Sequence, residues 1–280
     1  MPERSQLILD YMGFLLLGMI GAIFANATGA GGGVVFVPFF NQIEMQNTAI
    51  VATSFAIQCC GMTAGAITWH RYRRQLQKER NGKSQVADLQ SSQWLYLNKG
   101  LVVTIPSSIA GIMFAQFALV KYSAKMLSFL HVGFGIFSIL LAIAIYASIP
   151  LLKRQRASQQ ITPLDSVFLS IISFIGGIVT AWLSVGVGEM VAVYLILRGF
   201  NVTSAIALAV ILSAFSVWSA VFYHIFITQA IYWNVLIFAG AGAIIGGIVA
   251  KRVVLYFSVV KLKIFFATWI FVMGVAGLIT

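Results

Sequence analysis

Charge is what this sequence has least of: Asp, Glu, Lys and Arg make up 9% of its 280 residues, and only seven residues are acidic. A water-facing surface is roughly a quarter to a third charged, so most of this chain cannot face water. Cysteine is nearly absent too, with two adjacent residues, Cys59 and Cys60. Neighbours on a helix point to different sides, which excludes a disulfide between them and any disulfide framework. The three histidines have no zinc spacing. No cofactor and no metal are expected.

What is present is apolar: 60% of the residues are hydrophobic and the mean hydropathy is +0.95. The length accommodates several spans of about 20 residues and leaves no room for a large soluble domain, so residues 1–280 read as one membrane domain. The net charge of +11 does not point to nucleic acid, because the 18 basic residues sit mostly at the ends of apolar runs, where they orient spans in the bilayer. Phe14 to Phe24 followed by Ala25-Asn26-Ala27 imitates a cleaved signal peptide. Arg4 is offset by Glu3 and Asp10, and the segment recurs deeper in the chain, so cleavage is not expected.

One apolar run is interrupted by glycine, in GAGGGVVFVPFF from Gly29 to Phe40. The break occurs twice. Aligning Ile20 with Ile175 matches Gly21, Ile23, Gly31, Gly33, Thr48 and Ala52 to Gly176, Ile178, Gly186, Gly188, Thr203 and Ala207. Each break leads into a short apolar piece (Val34 to Phe40; Met190 to Leu197), a polar turn and a full-length run (Thr48 to Trp69; Val202 to Ile227). Two more runs follow in each half: Tyr96 to Val120 and Ala124 to Ile149, then Ile231 to Ala250 and Leu262 to Ile279. Repeats of this kind mark secondary transporters whose halves enclose a midplane site.

Positive charge sets the sidedness. If the second broken segment, Leu164 to Leu197, crossed completely, Lys251, Arg252, Lys261 and Lys263 would face outside. If it dips in and returns, the basic loops 70–92, 151–163 and 251–263 and Arg198 are all cytoplasmic, leaving Arg4, Lys121 and Lys125 outside and Lys99 near a boundary. The expected fold is an all-α polytopic membrane protein of two inverted repeats, 7–149 and 164–280, joined by a basic loop, 150–163. Each repeat is a glycine-broken re-entrant helix hairpin followed by three transmembrane helices. The arm from Leu7 to Thr28 is long enough to span, which leaves its crossing open.

Backbone amides exposed in hydrocarbon must be shielded or line a cavity. Glycine bares those N–H groups, and a helix restarting at Val34 or Met190 adds its positive end, which together form an anion site without a buried cation. The expected substrate-binding residues are Gly31, Gly32, Gly33, Gly186 and Gly188, with side-chain contacts from Asn26, Thr28, Thr180, Ser184 and Gln58. The alternative use of glycine is close helix packing, the reading preferred at Gly242, Gly246 and Gly247. A phosphate loop or dinucleotide fingerprint is rejected, since GAGGGV lacks the strand, lysine and acidic partner of those sites.

These motifs resemble the TauE/SafE sulfite exporter family, also called the 4-toluene sulfonate uptake permease family, whose glycine-rich turn, apolar residues, proline and ATS-type helix read here as GAGGGVVFVPFF and Ala52-Thr53-Ser54. The second copy, SVGVGEMVAVYL with Ser204 to Ala207, is degenerate, and the likeness extends to the small-residue run Ser107 to Gly111. The resemblance implies movement of sulfite, thiosulfate, organosulfonates or related sulfur-containing or carboxylate anions. Two departures are the basic insertion from Lys78 to Asp88 and Leu208-Ala209 in place of the expected threonine and serine.

Glu189, beside Gly188, is ionisable at the expected midplane and functional by default there. A carboxylate in apolar surroundings holds its proton more tightly, so Glu189 is the first candidate for proton coupling. Its other role would be structural, accepting helix-start amides. His131, within the fourth long run, is the second candidate. His70, His224, Trp69, Trp94 and Trp233 read as interfacial, Arg198 as an arginine snorkelling to headgroups, and the loop from Arg71 to Lys83 as a lipid-facing basic surface.

The expected function is secondary transport of a small sulfur-containing anion by alternating access across the cell membrane, with the bacterial inner membrane as the setting, and not catalysis. Its partners would be that anion, membrane lipid and a coupling proton, with no nucleic acid. A passive anion channel is the first alternative. A membrane-embedded enzyme pairing Glu189 with a histidine is the second and needs the two within hydrogen-bond reach. Direction, coupling ion, choice of anion and oligomeric state are not written in the sequence.

Overall fold

The computed structural model describes residues 2–80, 94, 96–119, 130–151 and 160–279, which form an all-helical fold without a strand. The helices are α1 (Pro2–Thr28), α2 (Gly33–Gln42), α3 (Asn47–Arg80), α4 (Leu97–Met113), α5 (Leu130–Leu151), α6 (Pro163–Leu183), α7 (Val187–Leu197), α8 (Val202–Tyr223), α9 (Trp233–Tyr256) and α10 (Val259–Ile279). Short π-helical turns, Phe114–Ala118 and His224–Thr228, extend α4 and α8. Among the described residues six helices are long and apolar enough to cross a membrane: α1, α3, α4, α6, α8 and α9. Val102, Leu164, Ile237 and Phe265 are exposed on outward faces, as contact with lipid tails requires. The chain is a multi-pass membrane protein.

Both glycine breaks are the tips of helical hairpins. In the first, the Phe14 ring packs on those of Phe39 and Phe40, and Gly21 faces Phe36, so α2 folds back along α1. Thr28 ends α1 by turning its hydroxyl onto the Phe24 carbonyl at 2.8 Å and accepting the Ala30 N–H at 3.1 Å. Gly29 then takes a left-handed φ of 79°. In the second hairpin, Gly176 meets Val187 near the tip, and Asp165 meets Tyr194 and Arg198 at the open end.

Asp165 explains why that hairpin starts and closes where it does. Thr162 caps α6, accepting the Asp165 N–H at 3.1 Å, while the Asp165 carboxylate accepts the Thr162 N–H at 3.0 Å, and Pro163 fits the first helical position. The same carboxylate, almost fully buried, accepts the Tyr194 hydroxyl at 2.8 Å and Arg198 Nε at 2.6 Å. Arg198 is therefore a structural tie and not a snorkelling arginine. Asp165→Asn is expected to lower the stability of the purified protein by about 2 kcal/mol, the range for hydrogen bonds to a charged group. An unchanged thermal unfolding curve would refute the tie.

Helices α3 and α8 form the centre: 72% and 78% of their spans are buried, against 33% for α1, α4 and α6. They run antiparallel, since Phe55 stacks on His224 while Thr63, two turns on, accepts the Trp218 indole N–H, which lies earlier in α8. Around them the packing is exchanged between halves: α1 lies along α9 and α6 along α4, α9 against α3 and α4 against α8, and α5 pairs with α10. The α1–α9 seam is close because Gly242 and Gly246 admit the Leu15 and Met19 carbonyls, the packing use expected of these glycines.

Several sequence expectations change. Residues 70–80 continue α3 as helix, and 251–263 shrink to a two-residue break between α9 and α10, because apolar neighbours carry both helices through their charges. Residues 81–93 and 152–159, which include most of two basic loops, lie outside the described residues. Trp69 and Trp94 are buried, packed on each other and on Tyr72, with the Trp69 indole N–H on the Asn26 carbonyl at 3.4 Å. His224 is buried against Phe55 and Thr228. Both departures follow from the central position of α3 and α8, which turns residues near their ends inward.

Candidate functional site

The two tips touch. Glu189, in the first turn of α7, reaches back with Oε2 to the Gly186 N–H at 3.0 Å and across with Oε1 to the Gly31 N–H of the other tip at 2.8 Å. The carboxylate is 3% exposed. Charge-assisted bonds of this kind are about twice as strong as neutral ones, so one side chain clamps both breaks. Because Glu189 caps α7 from inside, the helix restarts at Val187 and not at Met190.

Gln58 of α3 makes a second clamp. Its Oε1 accepts the Gly32 N–H at 2.8 Å, and its Nε2 donates to the Ser184 hydroxyl at 2.8 Å and the Ser184 carbonyl at 3.0 Å. Ser184 in turn donates to Ser54 at 2.9 Å, and Thr180 accepts the Val187 N–H at 2.9 Å. The crossing is tight enough that a Cβ on Gly33 would sit 2.3 Å from the Ser184 carbonyl oxygen, and one on Gly188 would sit 2.1 Å from that of Gly29.

Gly31, Gln58, Thr180, Ser184, Gly186, Gly188 and Glu189 surround one small cavity, with Ser213 and Ser216 of α8 on its far wall. The Ser213 hydroxyl is buried without a partner. Gly32 and Gly33 sit just behind, against Gln58 and Ser184. Asn26 is elsewhere, bonding the Ala22 and Gly61 carbonyls to hold α1 on α3. The His131 side chain lies outside the described residues.

Glu189 also borders a larger cavity between the tips and the turn that joins α7 to α8. Thr28, Ser148, Thr203 and Lys263 supply its polar groups; Ile145, Val193, Ile196, Ile206 and Val254 supply much of the rest. Lys263 is 7% exposed and donates from Nζ to the Ser148 hydroxyl at 2.6 Å. Counting basic residues by their place in a run assigns Lys263 to sidedness alone. Its side chain instead turns inward from α10 toward α5.

The profile describing the sulfite exporter TauE/SafE matches residues 90–277, more than half of the chain. The chain belongs to the TauE/SafE family. The match covers the second tip with Glu189 and both walls of the Lys263 cavity on α5 and α10; the first tip, on α1 and α2, precedes it. No match is found among curated proteins or among solved structures. Membership points to a membrane transporter of sulfur-containing anions, and so away from an enzyme.

Proposed function

We propose that this protein is a secondary carrier for a small sulfur-containing anion of the sulfite, thiosulfate or organosulfonate class, working by alternating access in the cell membrane. The observation that carries the reading is the Glu189 carboxylate bridging the amides of Gly31 and Gly186. A carboxylate is itself a small oxyanion. It occupies the position where two helix starts and their bare amides favour negative charge, and a substrate anion would take its place there.

Exchanged packing and antiparallel central helices support two inverted repeats, 7–149 and 164–280, each opening with a re-entrant hairpin. Because α1 runs parallel to α9, and α9 to α3, the first hairpin opens at the end opposite the second. At the second hairpin's end, Lys251 lies over the Tyr72 ring, Arg73 bonds Asn98, and Lys99 bonds the Ile161 carbonyl near the Asp165–Arg198 pair. This concentration of positive charge reads as cytoplasmic. The cavity beside Lys263 then lies on the cytoplasmic side of Glu189, which stands between it and the tip cavity.

Protonation of Glu189 would weaken its hold on the amides and yield the position to the substrate, which couples a proton to the anion. Catalysis has less support, since the contacts that Glu189 makes are to the backbone amides of Gly31 and Gly186. Reconstituted protein should show saturable uptake of labelled sulfite, thiosulfate or an alkanesulfonate, accelerated by the same unlabelled anion on the far side. Large unitary currents without such acceleration would replace the carrier with a channel.

A further inference from the structure

Lys263 is a buried cation whose ammonium carries three hydrogens and has one protein acceptor in view, Ser148. Among the described residues no carboxylate lies within ion-pairing distance. A buried charge without a partner costs several kcal/mol, so its persistence in a cavity asks for an anion from outside the chain. The remaining lining defines that anion. Walls made largely of Ile145, Val193, Ile196, Ile206 and Val254 offer a bare sulfite little hydrogen bonding and suit an apolar tail.

Building on the carrier reading, we propose that Lys263 and Ser148 form an anion subsite on the cytoplasmic side of Glu189, taking the oxyanion headgroup of an amphiphilic anion whose apolar part lies against the cavity walls. Thr28 and Thr203 add hydroxyls at the same cavity. The subsite and the tip amides are the two stations of one path, with Glu189 bordering both. The matching chemistry occurs in free organosulfonates and in the phosphate of an anionic lipid, and the cavity's limited size favours the free anion.

Titration calorimetry of the detergent-purified full chain with sulfite, methanesulfonate, butanesulfonate and a short-chain phosphatidylglycerol, at matched ionic strength, tests this. Affinity should rise along the sulfonate series by about fourfold per methylene. Lys263→Gln should lose at least tenfold for butanesulfonate, Lys263→Arg should recover part of it, and Thr203→Leu, which keeps the charge but narrows the cavity, should also weaken binding. If Lys263→Gln does not purify intact, the other two variants and the chain-length series still decide. Equal butanesulfonate affinity in unmodified protein and Lys263→Gln would overturn the subsite and leave the carrier standing. No response to any sulfur anion would overturn both, and a response to phosphatidylglycerol alone would make this a lipid site.

Discussion

Glu189→Gln is expected to abolish uphill, pH-driven accumulation of the substrate while leaving exchange of labelled for unlabelled anion. Glutamine keeps the size of the side chain but cannot carry the proton, and exchange needs no net proton movement. The same variant should bind the substrate anion more tightly, by roughly tenfold, because a neutral amide competes less strongly than a carboxylate for the Gly31 and Gly186 N–H groups. The unmodified protein should bind the anion better as pH falls, since protonation removes the same competitor, and Glu189→Gln should show no such slope. Weaker binding in the variant with a preserved pH slope would assign the residue to structure alone.

Gly188→Ala is expected to cause a large loss of stability from a single added methyl. The added methyl would lie 2.1 Å from the Gly29 carbonyl oxygen and 2.3 Å from the Ser213 hydroxyl. The serine hydroxyl can rotate away, but the Gly29 carbonyl cannot move without separating the tips, and overpacking of this kind costs about 1–3 kcal/mol. Alanine's better helix propensity returns at most about 1 kcal/mol, so the steric term wins. Apparent melting temperature and transport should both fall. Gly13→Ala, inside α1 where an added Cβ meets nothing within 4 Å, is the control and should lower neither. Equal behaviour of the two variants would mean that the tips do not cross closely.

The parts legible in the sequence are those with local signatures. A glycine cluster inside an apolar run marks a helix break wherever the chain ends up, and Gly31 and Gly186 both fall at hairpin tips. The partner of each tip is another matter. Glu189 and Gly31 are far apart in the chain, and no spacing rule says that a carboxylate placed to cap its own helix also reaches the opposite break. The charge of Glu189 at the midplane marks it in the sequence, as a proton carrier or as an acceptor of helix-start amides; the structure sets it on the amides of both tips.

Two other features show different kinds of blindness. Thr162 to Asp165 before an apolar run is the written form of a capping box, so the start of α6 could have been found by inspection. That Asp165 also anchors Arg198 depends on α7 folding back, which spacing alone does not show. Lys263 carried no signal, because charge counting treats a lysine at the edge of an apolar run as an orienting charge. Only the rotation of α10 and the position of Ser148 on α5 turn it into a cavity wall.

The most direct test of the central claim, that a substrate anion takes the place of the Glu189 carboxylate on the tip amides, is an infrared difference spectrum. It would be recorded as butanesulfonate or sulfite replaces chloride over reconstituted protein at constant ionic strength. The carboxyl bands should change in a way that is saturable in substrate and missing in Glu189→Gln. A spectrum in which saturating substrate leaves those bands unchanged would contradict the claim.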